Sequence, residues 1–317
     1  MRIGLLVGPE RGKYAEKVER LQAMITWAEE AGFSSVWLPQ IPDEFEVFAM
    51  AALAGLATST IEIGTAVVPI QPRHPVALAQ QALSIQAICK GRFTLGLGVS
   101  HHWIIEEMMG IPYGKPATAM SCYLDVLEQA FAGPGMVDVE DELFTIHQPF
   151  DITDSTRTPI LLAALGPRML KMAGGRADGT SLWLADERAI ATHIVPAITK
   201  AAEEAGRPAP RVLAGIPVCL CKADEVDAAV EQTNRILSEA EISPNYQKLL
   251  DMGDASSIGD IAAVGDEAAV ERRLRRYADA GVTDISSRVV PMGSNREESK
   301  ASAQRTREFL ASLQGSI

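Results

Sequence analysis

Ala31-Gly32-Phe33-Ser34-Ser35-Val36, near the beginning of the chain, and Ala280-Gly281-Val282-Thr283-Asp284-Ile285, near its end, share one order: a helix end, a glycine, then a β-rich run. Glycine suits the left-handed turn that closes a helix, and the branched residues behind it suit a strand. Upstream of the first copy, Val18, Leu21, Ile25 and Ala28 recur at helical spacing. Arg2–Gly8, that helix and Phe33–Leu38 therefore read as one complete strand-helix-strand unit. Ile61–Val68 and Arg92–Gly98 are the next strands, at intervals of roughly thirty residues. Val76, Ala79, Leu83 and Ile88 mark a helix between them, entered through Pro72 and Pro75. Further on, Pro159–Ala164, Gly179–Leu184, Arg211–Cys219 and Val282–Val289 complete a set of eight strands, with helices predicted over Pro167–Ala177, Asp186–Ala205 and Asp266–Ala280. Eight such units, opened and closed by the same grammar, predict a closed (β/α)8 TIM barrel spanning residues 1–317 rather than two domains.

Two stretches break the alternation. Gly133–Asp154, with Val137-Asp138-Val139 and Leu143-Phe144-Thr145-Ile146 alternating in polarity, reads as an inserted hairpin, and Ser243–Gly259 as a second insertion. Insertions in barrels extend the loops of one rim, where active sites sit, or supply dimer surface.

The chain carries 29 basic and 41 acidic residues, a net charge of −12, which argues against nucleic acid or an anionic membrane as main partner. No apolar run approaches the roughly 20 residues that span a bilayer. Met1–Glu10 reads as a buried strand rather than a signal peptide, so cytoplasm is the expected compartment. Cys89, Cys122, Cys219 and Cys221 contain no C-x-x-C. Cys219 and Cys221 share a strand face and are read as buried thiols, the alternative being a metal pair.

Barrel enzymes carry their reactive groups at the C-terminal strand ends. Here Val7-Gly8-Pro9 offers no His-x-His for a hydrolytic metal, so no metal site is expected, and no lysine ends strand six for a Schiff base, which disfavours an aldolase. A rim of apolar residues and glycines suits a cofactor that performs the reaction itself. In Leu165-Gly166-Pro167-Arg168 a glycine and a proline stand at a strand-to-helix junction, where free N–H groups receive a phosphate, or where Pro167 merely starts a helix. In Leu95-Gly96-Leu97-Gly98-Val99-Ser100 the glycines and Ser100 share the inward parity, which either clears space at the rim or allows tight packing. His101-His102-Trp103 follows as the densest reactive cluster, suited to acid/base work or substrate contact, or to loop packing. Arg73-His74 is read as ordering its loop.

Taken together, the chain resembles the luciferase-like monooxygenase superfamily, and within it the branch dependent on the deazaflavin coenzyme F420. The resemblance covers nearly the whole chain. It is carried by the order and spacing of Ala31–Trp37, Ile61–Val67, Pro72-Arg73-His74-Pro75, Gly91–Gly98 and Ala173-Gly174-Gly175-Arg176-Ala177-Asp178-Gly179. It implies a barrel, usually dimeric, with a flavin-type cofactor at the C-terminal rim. By matching positions, Ala66-Val67 would form a non-prolyl cis bulge behind the ring. Val99 and Ser100 would line the ring and side chain, and Ala164-Leu165-Gly166-Pro167 would take the phosphate. The sugar-phosphate dehydrogenases of this branch have Asp-His where this chain has Gln40-Ile41, and a carboxylate in place of His101, so their reaction does not carry over. Pro39, Gln40, Ile41, Trp103 and Trp183 point to a more apolar site, fitting hydride transfer to a conjugated or aromatic substrate. The expected protein is thus an F420-dependent oxidoreductase, a homodimer acting on a small molecule, with His101 or His102 handling the proton. The alternatives are an FMN-dependent monooxygenase of the same fold and a flavin-binding protein without turnover. Inward parity favours His102 and family position favours His101.

Overall fold

The computed structural model describes residues 1–8, 15–237 and 244–317. Eight parallel strands close on themselves in chain order: β1 (Arg2–Leu6), β2 (Ser35–Leu38), β3 (Glu62–Thr65), β4 (Phe93–Gly98), β5 (Ile160–Leu162), β6 (Gly179–Trp183), β7 (Arg211–Leu220) and β8 (Asp284–Val289). The ring closes where Gly4 pairs with both Ser35 and Ser286. The eight strands expected from sequence are all present, and the (β/α)8 barrel is the fold.

Helices form where the chain supplies a stripe and a cap. In α1 (Lys17–Glu30), Leu21, Ile25 and Ala28 are buried against the sheet, and Gly32 follows in the left-handed region at φ 82°. Helix α3 (Pro75–Ile88) starts on Pro75, with His74 accepting from the Val76 N–H. The predicted helix over Asp186–Ala205 is interrupted. A short turn at Glu187–Ala189 runs into a π-helical turn, Ile190–Ile194, before α6 (Val195–Glu204). Gly133–Asp154 contains the expected hairpin, Gly135–Glu140 paired antiparallel with Thr145–Phe150. The second insertion holds helices at Pro244–Met252 and Ile258–Ile261; Ser243, like Pro9, lies outside the described residues.

The barrel interior is layered. At the floor, Arg211 bonds Glu62 at 2.8 Å and Asp284 at 2.7 Å, while Thr94 donates to Glu62 at 2.6 Å. Arg2 pairs with both carboxylates, 3.2 Å from Asp284. Burial alone would raise the Glu62 pKa, but hydrogen bonding and charge from Arg211, then the charge of Arg2, hold it below the usual carboxylate range. Above this floor Trp37, Leu161 and Leu213 fill the centre, with Leu6 and Ala66 against them. Gly64 is required there, since a β-carbon would lie 2.1 Å from the Trp37 ring. The polar end is therefore sealed, and any ligand enters from the opposite rim.

Outside the barrel, Glu29 of α1 accepts from the N–H groups of Ser59, Thr60 and Ile61 at 2.6–3.0 Å, which ties α1 to the turn ahead of β3. Against a desolvation that raises it, these backbone donors lower the Glu29 pKa to about 2. A depressed carboxylate pKa stabilises above the unfolded value and loses that contribution as pH falls through the folded one. Glu29→Ala is expected to cost about 1 kcal/mol at neutral pH, discounted for the site's exposure. Urea melts should show the difference shrinking between pH 4.5 and about 2. A gap as large at pH 2 as at neutral pH contradicts this.

Candidate active site

The Ala66–Val67 peptide is cis, and just past it Val68–Pro69 pairs with Leu97–Gly98 of β4. This bulge explains the glycines of β4. A β-carbon on Gly96 would lie 1.9 Å from the Thr65 carbonyl oxygen, and one on Gly98 2.6 Å from Val67 Cγ2. Of the two readings of that pattern, tight packing holds: the glycines admit the bulge and leave no open channel. Ala66 and Val67 remain half-buried, Val67 wedged where β4 approaches Ala163 at the end of β5.

At Ser100 the backbone turns left-handed, φ 54°, and strand parity ends. Val99 and Ser100 are half-buried; Gln71 Nε2 donates to the Val99 carbonyl at 2.6 Å and the Tyr113 hydroxyl to the Ser100 carbonyl at 3.1 Å. Because of that turn His101, not His102, takes the sheltered position. The His101 ring stacks on Trp103, centroids 4.3 Å apart at 15°, with Tyr246 of the second insertion 5.9 Å away. His102 is exposed and meets Trp103 edge-on at 5.3 Å. Burial first, then the neighbouring charge of His102, pushes the His101 imidazole below its ordinary 6.5, so it is neutral at pH 7. Trp103–Met108 forms a π-helical turn, and Glu106 accepts from the Tyr113 N–H at 3.0 Å.

A cleft of about 300 Å³ opens beside this loop, walled by Pro42, Pro69, Pro72, Ile104 and Met109, with Gln40, Arg73 and Ser100 as its polar members. Two of those polar groups are committed. Arg73 pairs with Glu46 at 2.8 Å, and Gln40 Oε1 accepts the Val47 N–H at 3.1 Å. Arg73-His74 thus orders its loop, as the sequence suggests.

On the far side of the rim, β5 runs into α5 (Pro167–Gly175). Ala164 is buried with the core, so only its backbone is available at the rim, whereas Leu165 is half-buried and Gly166 and Pro167 are exposed. Gly166 is the N-cap without a side-chain acceptor, and a β-carbon there would meet no atom within 4 Å. Among the described residues no acceptor meets the N–H groups of Gly166, Arg168 or Met169. These donors and the positive helix end suit an anion of phosphate size, and the open space fits one.

The cysteines are buried and free, and burial pushes Cys219 to about 12. Cys122, Asp125 and Asp141 bring ligand atoms within 4.8 Å; Asp125 pairs with Arg176 at 2.6 Å, and Asp141 Oδ1 accepts from the Leu143 and Phe144 N–H groups in the hairpin turn.

The family model of luciferase-like monooxygenases matches residues 1–284. The chain belongs to this family. Among its relatives is the 5,10-methylenetetrahydromethanopterin reductase of Methanopyrus kandleri, 25% identical over 240 residues, 70% of this chain and 68% of that one. Across curated relatives the matched stretch covers from about half to about two thirds of their length, 52% to 68%. An F420-dependent secondary alcohol dehydrogenase, solved with an F420–acetone adduct, superposes with a TM-score of 0.79 at 16% identity, covering 98% of this chain and 97% of that one. The oxygenating constituent of the FMN-bound 3,6-diketocamphane monooxygenase of Pseudomonas putida superposes at 0.75 and 16% identity, covering 98% and 96%. At these identities the superpositions establish the shared barrel. Within the luciferase-like frame, sequence reading missed Gln71, Tyr113, Tyr246 and His193. Gln71 directly precedes Pro72-Arg73-His74-Pro75 and Tyr246 falls within the second insertion, but neither residue type carries a signal of its role there.

Proposed function

We propose that this luciferase-like protein is an F420-dependent oxidoreductase that transfers hydride between the deazaflavin and a small apolar or conjugated organic substrate. One observation carries the reading: the rim joins an apolar, acid-poor mouth at Ala66, Val67, Val99 and Ser100 to an open, uncapped helix end at Gly166. The F420-dependent dehydrogenase of the same fold supports the choice of cofactor. When bound, the deazaflavin supplies a hydride donor or acceptor that is largely inert to oxygen. Ala66 and Val67 back the ring, Val99 and Ser100 line its edge, and Leu165, Gly166 and Pro167, with the Ala164 backbone, receive the phosphate. His101 exchanges the proton that accompanies hydride transfer, His102 being the exposed second candidate. The FMN-bound neighbour favours a second reading, an FMN-dependent monooxygenase. Turnover under anaerobic conditions supports the first; oxygen consumption coupled to product formation contradicts it.

The homodimer belongs to the same proposal. Helix α2 (Val47–Ala57) is apolar on all sides, and its outer face leaves Leu53 36% and Leu56 77% exposed, with Phe45 beside it. Sedimentation of a monomer at micromolar concentration contradicts this.

Gly166 gives a direct test of the phosphate seat. Its φ of −86° and ψ of 159° suit any residue and a side chain there meets no protein atom, so Gly166→Val should fold normally. Cofactor affinity should fall by about tenfold, since only a bound ligand feels the added group. Unchanged affinity in a folded variant places the phosphate elsewhere.

A further inference from the structure

We propose that His193 is a positioning residue for the cofactor phosphate: it holds the Leu165–Gly166 peptide so that the Gly166 N–H faces the ligand. The inference rests on the reading of the α5 end as the phosphate seat. His193 Nε2 lies 3.3 Å from the Leu165 carbonyl oxygen. A carbonyl oxygen only accepts, so that nitrogen carries the hydrogen. Among the described residues the only cis peptide is Ala66–Val67, so the Leu165–Gly166 peptide is trans. In a trans peptide C=O and N–H point in opposite directions. Fixing the Leu165 oxygen towards His193 therefore directs the Gly166 N–H away from it, to a side where no acceptor among the described residues meets it.

The fold delivers His193 to this place by two devices. The π-helical turn Ile190–Ile194 inserts an extra residue ahead of α6 and re-aims the side chain at its position 193, a device often found beside functional sites. Gly174 of α5 then brings the two helices into backbone contact, since a β-carbon there would lie 2.1 Å from the Ile198 carbonyl oxygen. With α5 and α6 held at this distance, the imidazole spans the gap to Leu165. Without the histidine the peptide is free to rotate its carbonyl towards the incoming anion, which would replace an attractive dipole by a repulsive one.

The test titrates wild type, His193→Ala, His193→Gln and Gly166→Val apoproteins with two ligand pairs: F420 against its phosphate-free deazaflavin core, and FMN against riboflavin. For the pair that binds, His193→Ala should weaken the phosphate-bearing member about tenfold and shift its phosphate-free partner less than about twofold. His193→Gln, which keeps an N–H donor, should recover most of the loss. Equal weakening of both members, or none in either while Gly166→Val weakens the phosphate-bearing one, overturns the role of His193 and leaves the seat standing. If Gly166→Val changes nothing, the seat lies elsewhere and the role of His193 falls with it.

Discussion

Replacing His101 by alanine should lower turnover by about 10²-fold or more while cofactor affinity is retained within about twofold. Hydride addition to a conjugated bond leaves a carbanion or enolate that must take a proton, and hydride removal from an alcohol or amine releases one. His101 is the more sheltered of the two adjacent imidazoles, stacked on Trp103 between Ser100 and Ile104, both of which line the cleft. Its pKa is lowered by burial and then by His102, which fixes the sign of the pH dependence. A proton donor must be imidazolium, so reduction of substrate should accelerate as pH falls towards a value below 6.5. A proton acceptor must be neutral, so the reverse oxidation should slow through the same value. His102→Ala, at the exposed position, should remove some of the repulsion and raise that value while sparing turnover. Wild-type rates and pH profile in both single alanine variants, measured where chemistry limits turnover, would assign the proton to solvent and return the pair to packing.

Arg211→Ala should destabilise the barrel by about 3–5 kcal/mol, the largest stability effect expected of any single substitution considered. The guanidinium answers two carboxylates at once, Glu62 at 2.8 Å and Asp284 at 2.7 Å, and Asp284 is 1% exposed. Removing it leaves buried charges with Arg2 as their remaining counter-ion. Arg211→Lys should recover only part of the loss, because an ammonium cannot present two donor edges in the plane that both acids share. Urea denaturation at pH 7 reads this directly. A loss under 1 kcal/mol for Arg211→Ala would mean that the floor is solvated in solution and contributes little.

The architecture was legible because its signals are local. The glycines behind the first and the penultimate helix, Gly32 and Gly281, and β-rich runs at roughly thirty-residue spacing in the first third survive without knowledge of tertiary contacts, and Asp266 capping Ala269 at 2.8 Å starts its helix where the pattern places it. Helix α2 was not, since a segment apolar on every face shows no helical stripe. The last helix, α9 (Arg296–Ser312), hid for the opposite reason: its buried side consists of Ser302, Ala303, Thr306 and Leu310, which look like surface residues in sequence. Within the site, parity placed His102 inward because nothing local announces that Ser100, a non-glycine residue, adopts a positive φ. The Arg211–Glu62 pair, 149 positions apart, and the reach of His193 to Leu165 depend on barrel closure and helix packing, which no short window encodes.

The most direct measurement of the central claim is calorimetric titration of the apoprotein with F420 and with FMN under identical conditions. F420 is expected to bind more tightly, and the loaded enzyme to turn over without oxygen uptake. Tighter binding of FMN, with product formation that requires oxygen, would contradict it.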